Sequence, residues 1–113
     1  CRELQHTLGD LAEVSPRNQF TPASLLPRDH AFTRRTEALL AAVLQREPVL
    51  GVFHGGTEAA YVSQFGIPTL IVGPGSLEQA HRVDEYAPVE QIMQCADLYF
   101  RLMQSLCCPG AAQ

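Results

Sequence analysis

Apolar residues recur at helical spacing in three parts of the chain: near its start, after residue 30 and after residue 88. Residues three or four positions apart lie on one face of a helix, so each stripe predicts an amphipathic helix. The stripes are, in chain order, Leu4, Leu8, Leu11 and Val14; then Phe32, Leu39, Leu40, Val43 and Leu44; then Ile92, Ala96, Tyr99, Met103 and Leu106.

The ends of these predicted helices carry signals of their own. Asp29 is suited to cap the second helix, and Pro48 marks the point beyond which it cannot continue. A further short helix is predicted over residues 57–65, with Thr57 as its cap and Gly66 closing it.

Two short apolar runs, residues 49–53 and 68–72, have the length and composition of buried strands. From residue 30 onwards the predicted order is therefore helix, strand, helix, strand, loop and helix. Strands that alternate with helices predict an α/β fold with a largely parallel sheet.

Residues 1–25 do not follow this alternation, and Pro22 makes residues 17–25 a poor, edge-type strand at best. We expect them to be the end of a different structural unit. The predicted connection is residues 26–29, and residues 30–113 would form the α/β unit.

Composition restricts the class of protein. The chain has 113 residues, of which 46% are apolar and 18% charged, and its formal net charge is −4. This is typical of a globular domain, and the absence of a Lys/Arg run makes nucleic acid an unexpected partner. No apolar stretch is long enough to span a membrane and no signal peptide is visible, so we expect a cytoplasmic protein. The four cysteines do not have zinc-finger spacing.

Two loops follow the predicted strands. Ligands of open α/β sheets bind beyond the carboxyl ends of the strands, so residues 54–57 and 73–86 are the candidate site. In the first loop, the backbone N–H groups of Gly55 and Gly56 and the helix start at Thr57 suit an anion such as a carboxylate. The alternative is a tight turn in which Thr57 is only a cap.

His81 is the most informative residue of the second loop. The preceding Gly-Pro-Gly sequence can continue neither a helix nor a central strand, so it releases the chain into a loop that presents His81 near Asp84 and Glu85. Neutral imidazole is the commonest metal ligand in proteins, and the two carboxylates could orient it. The alternative is a loop histidine bonded to backbone, and no H-x-x-H, H-x-E or C-x-x-C pattern supports a complete site.

Residues 56–61, 66–69 and 73–86 together closely resemble the C-terminal end of the acetylornithine deacetylase family. These are di-metal amidohydrolases related to succinyl-diaminopimelate desuccinylase and glutamate-type carboxypeptidases. The resemblance is strong over residues 50–95 and extends weakly back to residue 1. Its most specific part is the long string from the Gly-Pro-Gly turn through Ala-His to Asp-Glu-Tyr.

The resemblance implies a catalytic α/β domain interrupted by a smaller α+β lid domain through which the protein forms homodimers. Residues 1–25 would end the lid, residues 26–29 would be the hinge, and residues 30–113 would close the catalytic domain. His81 would bind one of two zinc or cobalt ions, and residues 55–57 would line the pocket for an N-acyl amino acid.

The family's other metal ligands, its general-base glutamate and its lid histidine have no counterpart in this sequence. We therefore expect the chain to be part of a longer enzyme and inactive alone. Succinyl-diaminopimelate desuccinylase or metallo-carboxypeptidase activity is an alternative, and so is a truncated, non-catalytic relative that acts as an interaction module.

Overall fold

The computed structural model describes residues 2–15 and 22–108, and the regular structure in these ranges is helical. The elements are α1 (Arg2–Leu8), a 3-10 turn (Gly9–Leu11), α2 (Ala31–Leu44), α3 (Ala59–Val62), a second 3-10 turn (Ser63–Phe65) and α4 (Val89–Cys107).

Local sequence explains where the first helix stops. The predicted helix over the first stripe is shorter than expected, because Gly9 has a φ of +52° and ends α1. The side chain of Gln5 then holds the chain that follows: its amide nitrogen donates to the carbonyls of Gly9 (2.9 Å) and Ala12 (3.1 Å), and its oxygen accepts from the N–H of Val14 (2.6 Å).

The ends of α2 are clear, with one correction. The cap is His30 and not Asp29, since the His30 Nδ1 atom accepts a hydrogen bond from the Phe32 N–H at 3.1 Å. At the other end Gln45 adopts the left-handed conformation, with a φ of 54°, and stops the helix before Pro48 as predicted.

Helices α2 and α4 pack against each other and form the centre of the structure. Leu98 of α4 is 0% exposed, and Thr33 and Thr36 of α2 are buried. The Arg35 guanidinium of α2 also donates to the Ser105 carbonyl near the end of α4, at 3.2 Å. By contrast, α1 contacts no described helix apart from the 3-10 turn that follows it.

The apolar stripe predicted for α4 lies on its exposed face. Tyr99, Met103 and Leu106 are exposed, whereas Leu98 and the partly buried Leu102 lie on the adjacent face. Successive helical residues differ by about 100° in direction, so the packed face and the predicted face are neighbours on the helix. Helix α4 is therefore apolar on two faces, and α2 covers only one of them.

The predicted sheet is not confirmed. Residues 49–53 and 68–72 form no strand in the part of the chain that the structure describes, and Val49 and Val52 are 89% and 78% exposed. A strand requires a neighbour whose backbone groups complete its hydrogen bonds, and here the two segments do not pair with each other. The predicted edge strand lies partly outside the described residues, and residues 22–27 have no regular structure.

The third predicted helix is present as α3 and its 3-10 continuation, and Gly66 closes it with a φ of 72° as predicted. The predicted domain boundary at residues 26–29 stays a prediction. No helix in the described residues is both long and apolar enough to cross a lipid bilayer.

The chain exposes much more surface than a compact domain of its size. Its accessible surface is 9681 Å², compared with about 6,100 Å² for a compact protein of the same mass. The radius of gyration is 19.1 Å, compared with about 13 Å for a compact domain. Because many of the exposed side chains are large and apolar, this surface favours association with other protein surface.

We expect the isolated 113-residue chain to self-associate, because it exposes about 3,500 Å² more surface than a compact monomer of its size. Sedimentation velocity over a range of concentrations, together with a thermal melt followed by circular dichroism, measures this. A monomer that unfolds in one sharp, cooperative transition would contradict the expectation.

Leu98→Ala should destabilise the packing of α2 on α4 by about 3 kcal/mol, because it leaves a cavity at a fully buried position. Gln104→Ala is the control on the same helix. Its side chain is polar and exposed, so the cost should stay below about 1 kcal/mol. Urea denaturation of the complete gene product measures both, and equal costs would show that Leu98 is not a core residue.

Candidate functional site

The loop over residues 73–86 is a succession of tight turns. Gly75 has a φ of +90°, a conformation that side-chain-bearing residues rarely adopt. After it, the N–H of Gln79 donates to the Ser76 carbonyl (2.9 Å) and the N–H of Arg82 donates to the Gln79 carbonyl (3.3 Å). These short-range bonds make the loop a compact unit.

His81 lies in the left-handed region, with a φ of 63°, and its side chain is exposed. Its backbone N–H donates to the Glu85 Oε2 atom at 3.0 Å. Glu85 thus contacts the backbone of His81 and not its ring, and orientation of the imidazole by Glu85 or by the exposed Asp84 stays a prediction. An exposed imidazole on a backbone held in this way is accessible to a metal ion or a hydrogen-bonding group from solvent.

A groove of about 500 Å³ lies beside this loop. Phe53, Ile71 and Leu77 supply apolar wall, Tyr86 adds a second aromatic side chain, and Glu85 adds a carboxylate. No sequence pattern pointed to Phe53 and Tyr86 as walls. The signal that could have indicated them is an aromatic residue directly before the first predicted loop and another at the end of the second.

The segment predicted to contact the substrate, residues 55–57, is connected to this groove only through Phe53. Gly55, Gly56 and Thr57 are not among the residues that line it, but Phe53 lies against Gly55. A Cβ atom at Gly55 would be 2.6 Å from the Phe53 Cε1 atom, whereas one at Gly56 would meet open space. Gly55 therefore allows the Phe53 ring to occupy its present place.

The N-cap position of α3 is Glu58 and not the predicted Thr57, and the Glu58 side chain makes no capping hydrogen bond. Thr57 lies one residue earlier, and its hydroxyl accepts a hydrogen bond from the N–H of Ala59, the first residue of α3, at 3.3 Å. That N–H is thus satisfied within the chain, and α3 has only four residues. These contacts favour the tight-turn interpretation of the loop, and a role for residues 55–57 in binding substrate stays a prediction.

The described residues do not build a metal centre by themselves. No three His, Cys, Asp or Glu side chains come together there in a way that could hold a metal ion. Zinc sites take three or four protein ligands, so His81 offers one donor of the several that such a site needs. Of the cysteines, Cys107 and Cys108 are exposed and burial raises the pKa of the Cys95 thiol.

Residues 5–105 match the family model for "Peptidase family M20/M25/M40". The acetylornithine deacetylase of Erwinia tasmaniensis is 34% identical over 86 residues, which are 76% of this chain and 21% of that protein. The acetylornithine deacetylase of Vibrio campbellii is 42% identical over 96 residues, which are 85% of this chain and 24% of that protein.

A third relative has a different printed activity. The N-formyl-4-amino-5-aminomethyl-2-methylpyrimidine deformylase of Bacillus subtilis is 26% identical over 99 residues, 88% of this chain and 23% of that protein. The chain thus spans between a fifth and a quarter of the length of these relatives. No solved structure shows significant similarity to it.

Because the backbone of His81 has a positive φ, we expect substitutions at this position to change the stability of the loop in an unusual order. His81→Val should loosen the loop by about 1–2 kcal/mol, because a β-branched residue is strained at positive φ, whereas His81→Gly should not. Hydrogen exchange of the residue 81 amide measures the difference.

Arg82→Val and Arg82→Gly are the matched controls, because Arg82 is not among the residues with positive φ. There the valine variant should be the better protected of the two. If both positions show the same order, the left-handed conformation of His81 is wrong.

Proposed function

Because the chain belongs to peptidase family M20/M25/M40, we propose that it is part of a metal-dependent hydrolase that cleaves the amide bond of an N-acyl amino acid. The observation that carries the proposal is the family match over residues 5–105, which includes the loop with the exposed His81. An imidazole accessible on a loop of tight turns beside a partly apolar groove suits a site that joins a metal to an organic substrate.

His81 would be one ligand of one of two divalent ions, zinc or cobalt. The remaining ligands would come from residues outside those described, since these do not form a complete site. Asp84 and Glu85 would support the loop, and Glu85 already accepts the hydrogen bond of the His81 backbone N–H. This chain would hold the imidazole in place and contribute part of the pocket.

The groove suggests how the substrate would be held. Phe53, Ile71 and Tyr86 offer an apolar surface, which suits an acyl group or the aliphatic part of an amino acid. Gly55, Gly56 and Thr57 would contact the substrate from the adjacent loop. Gly55 has an additional effect, because its lack of a side chain lets Phe53 form the wall.

The relatives support removal of an acyl group from an amine more strongly than they support one substrate. Two of them are named for deacetylation of acetylornithine and one for removal of a formyl group from an aminomethylpyrimidine. N-Acetylated amino acids are therefore the first class to test. Succinylated amino acids and small peptides are the next classes to test.

The assembly expected for the complete enzyme is a homodimer formed through a lid domain.

One observation favours a second candidate function. The chain exposes 9681 Å² of surface, with many large apolar side chains on it. Such a surface would also suit a non-catalytic interaction module that retains the family's sequence. The two candidates differ in whether His81 binds a metal that the protein needs for catalysis.

His81→Asn tests the proposal, because asparagine removes the imidazole while tolerating positive φ. In the complete gene product, the amount of bound metal should fall and kcat/KM for N-acetylornithine should drop more than about 100-fold. Mutation of a residue that only hydrogen-bonds to a metal ligand already lowers metal affinity or activity by about 10–100-fold, and loss of the ligand itself should cost more. N-Succinyl-diaminopimelate and a dipeptide should be assayed in parallel. Metal analysis and initial rates are the two measurements.

The control is His6→Asn, which changes an exposed histidine on α1 and should leave both measurements unchanged. The isolated 113-residue chain should show no activity. Full metal content and wild-type rates in His81→Asn would refute the ligand role. A gene product that binds no metal and hydrolyses none of these substrates would favour the interaction module.

A further inference from the structure

Helix α4 holds the Gly-Pro-Gly turn at two points. The Tyr99 hydroxyl donates a hydrogen bond to the Val72 carbonyl at 2.6 Å, immediately before the turn. The Gly75 N–H, at the end of the turn, donates to the Gln91 Oε1 atom at 2.8 Å. Both side chains come from α4, and both partners are backbone groups.

The spacing of these contacts sets the direction of the turn. Gln91 and Tyr99 are eight residues apart, or about 12 Å along the helix axis. Residues 72–75 can span at most about 10 Å, which is slightly less than the distance between Gln91 and Tyr99 along the helix. The lengths of the Gln91 and Tyr99 side chains make up the remaining distance. The turn therefore runs along α4 towards its N-terminus, with Val72 near Tyr99 and Gly75 near Gln91.

The second contact also closes the loop that carries His81. Within and just beyond this loop, the segment 75–88 begins at Gly75, which is bonded to Gln91 in the first turn of α4, and ends at Pro88, the residue before α4. Its two ends are thus brought together on one helical turn, as in compact Ω-loops. Between them the short backbone hydrogen bonds of residues 76–82 and the bond from His81 to Glu85 keep the loop compact.

From this geometry we propose that Gln91 and Tyr99 are positioning residues for His81. They fix the start of the loop on α4, and the loop then carries the imidazole as part of one unit. The proposal deepens the proposed function and rests on it only for the role of His81 as a metal ligand. The attachment itself can be measured without metal or substrate, so the two can fail separately.

The test uses substitutions that remove one hydrogen-bonding atom at a time. Tyr99→Phe removes the hydroxyl and keeps the ring, and Gln91→Leu removes the acceptor at similar size. Gln91→Glu keeps an oxygen that can accept from the Gly75 N–H, so it should behave as the wild type. Tyr61→Phe, which removes an exposed tyrosine hydroxyl outside α4, is the matched control.

The first readout is trypsin cleavage after the exposed Arg82 in the complete gene product, with cleavage after Arg46 as the internal reference. Loss of one hydrogen bond corresponds to about a twofold to tenfold change in a local opening equilibrium. Tyr99→Phe and Gln91→Leu should each accelerate cleavage after Arg82 by such a factor and leave cleavage after Arg46 unchanged. Gln91→Glu and Tyr61→Phe should change neither.

The second readout is the NMR signal of the His81 imidazole in metal-free protein. It should shift or broaden in Tyr99→Phe and Gln91→Leu and keep its wild-type position in Gln91→Glu. Unchanged cleavage and an unchanged His81 signal in Tyr99→Phe and Gln91→Leu would overturn the proposal, and so would a Gln91→Glu variant as perturbed as Gln91→Leu. If these results are as expected but His81→Asn retains full metal content, the positioning stands and the proposed function fails.

Discussion

Helix α4 connects the packed centre of the structure with the candidate site, because two of its adjacent faces make different contacts. Leu98 is buried on the face that meets α2, and the next residue, Tyr99, holds the Val72 carbonyl. The position of α4 on α2 is set by packing, and the position of the loop on α4 is set by hydrogen bonds. The position of His81 therefore depends first on the packing of α4 against α2 and then on the hydrogen bonds that hold the loop on α4.

The parts of the structure that depend on local sequence could be predicted. The stripes and stop signals located α2 and α4, Gly66 closed the short helix, and the Gly-Pro-Gly sequence marked the start of the loop. Such features depend on the conformational preferences of a few neighbouring residues. The cap of α2 was displaced by one residue, to His30, because a histidine nitrogen can accept the same hydrogen bond as an aspartate oxygen.

The parts that depend on distant partners could not be predicted. Apolar spacing showed that α4 has an apolar face at Tyr99 and Met103, but it could not show that α2 packs on the neighbouring face. The segments at 49–53 and 68–72 have the composition of strands, yet a strand forms only when another backbone completes its hydrogen bonds. At the candidate site, no sequence pattern indicates the positive φ of His81 or the bond from its N–H to Glu85.

The exposed apolar surface of the chain and the metal-ligand role proposed for His81 point to the same requirement. The two strand-like segments lead directly into the two candidate loops, the first into Gly55 and the second into the loop with His81. If neighbouring strands completed their backbone hydrogen bonds, the same contact would cover their apolar side chains and align both loops at one edge. Ligands carried at that edge by the added structure would then lie near the imidazole. In that arrangement, one association would supply both the strand partners and the further metal ligands that the proposed function requires.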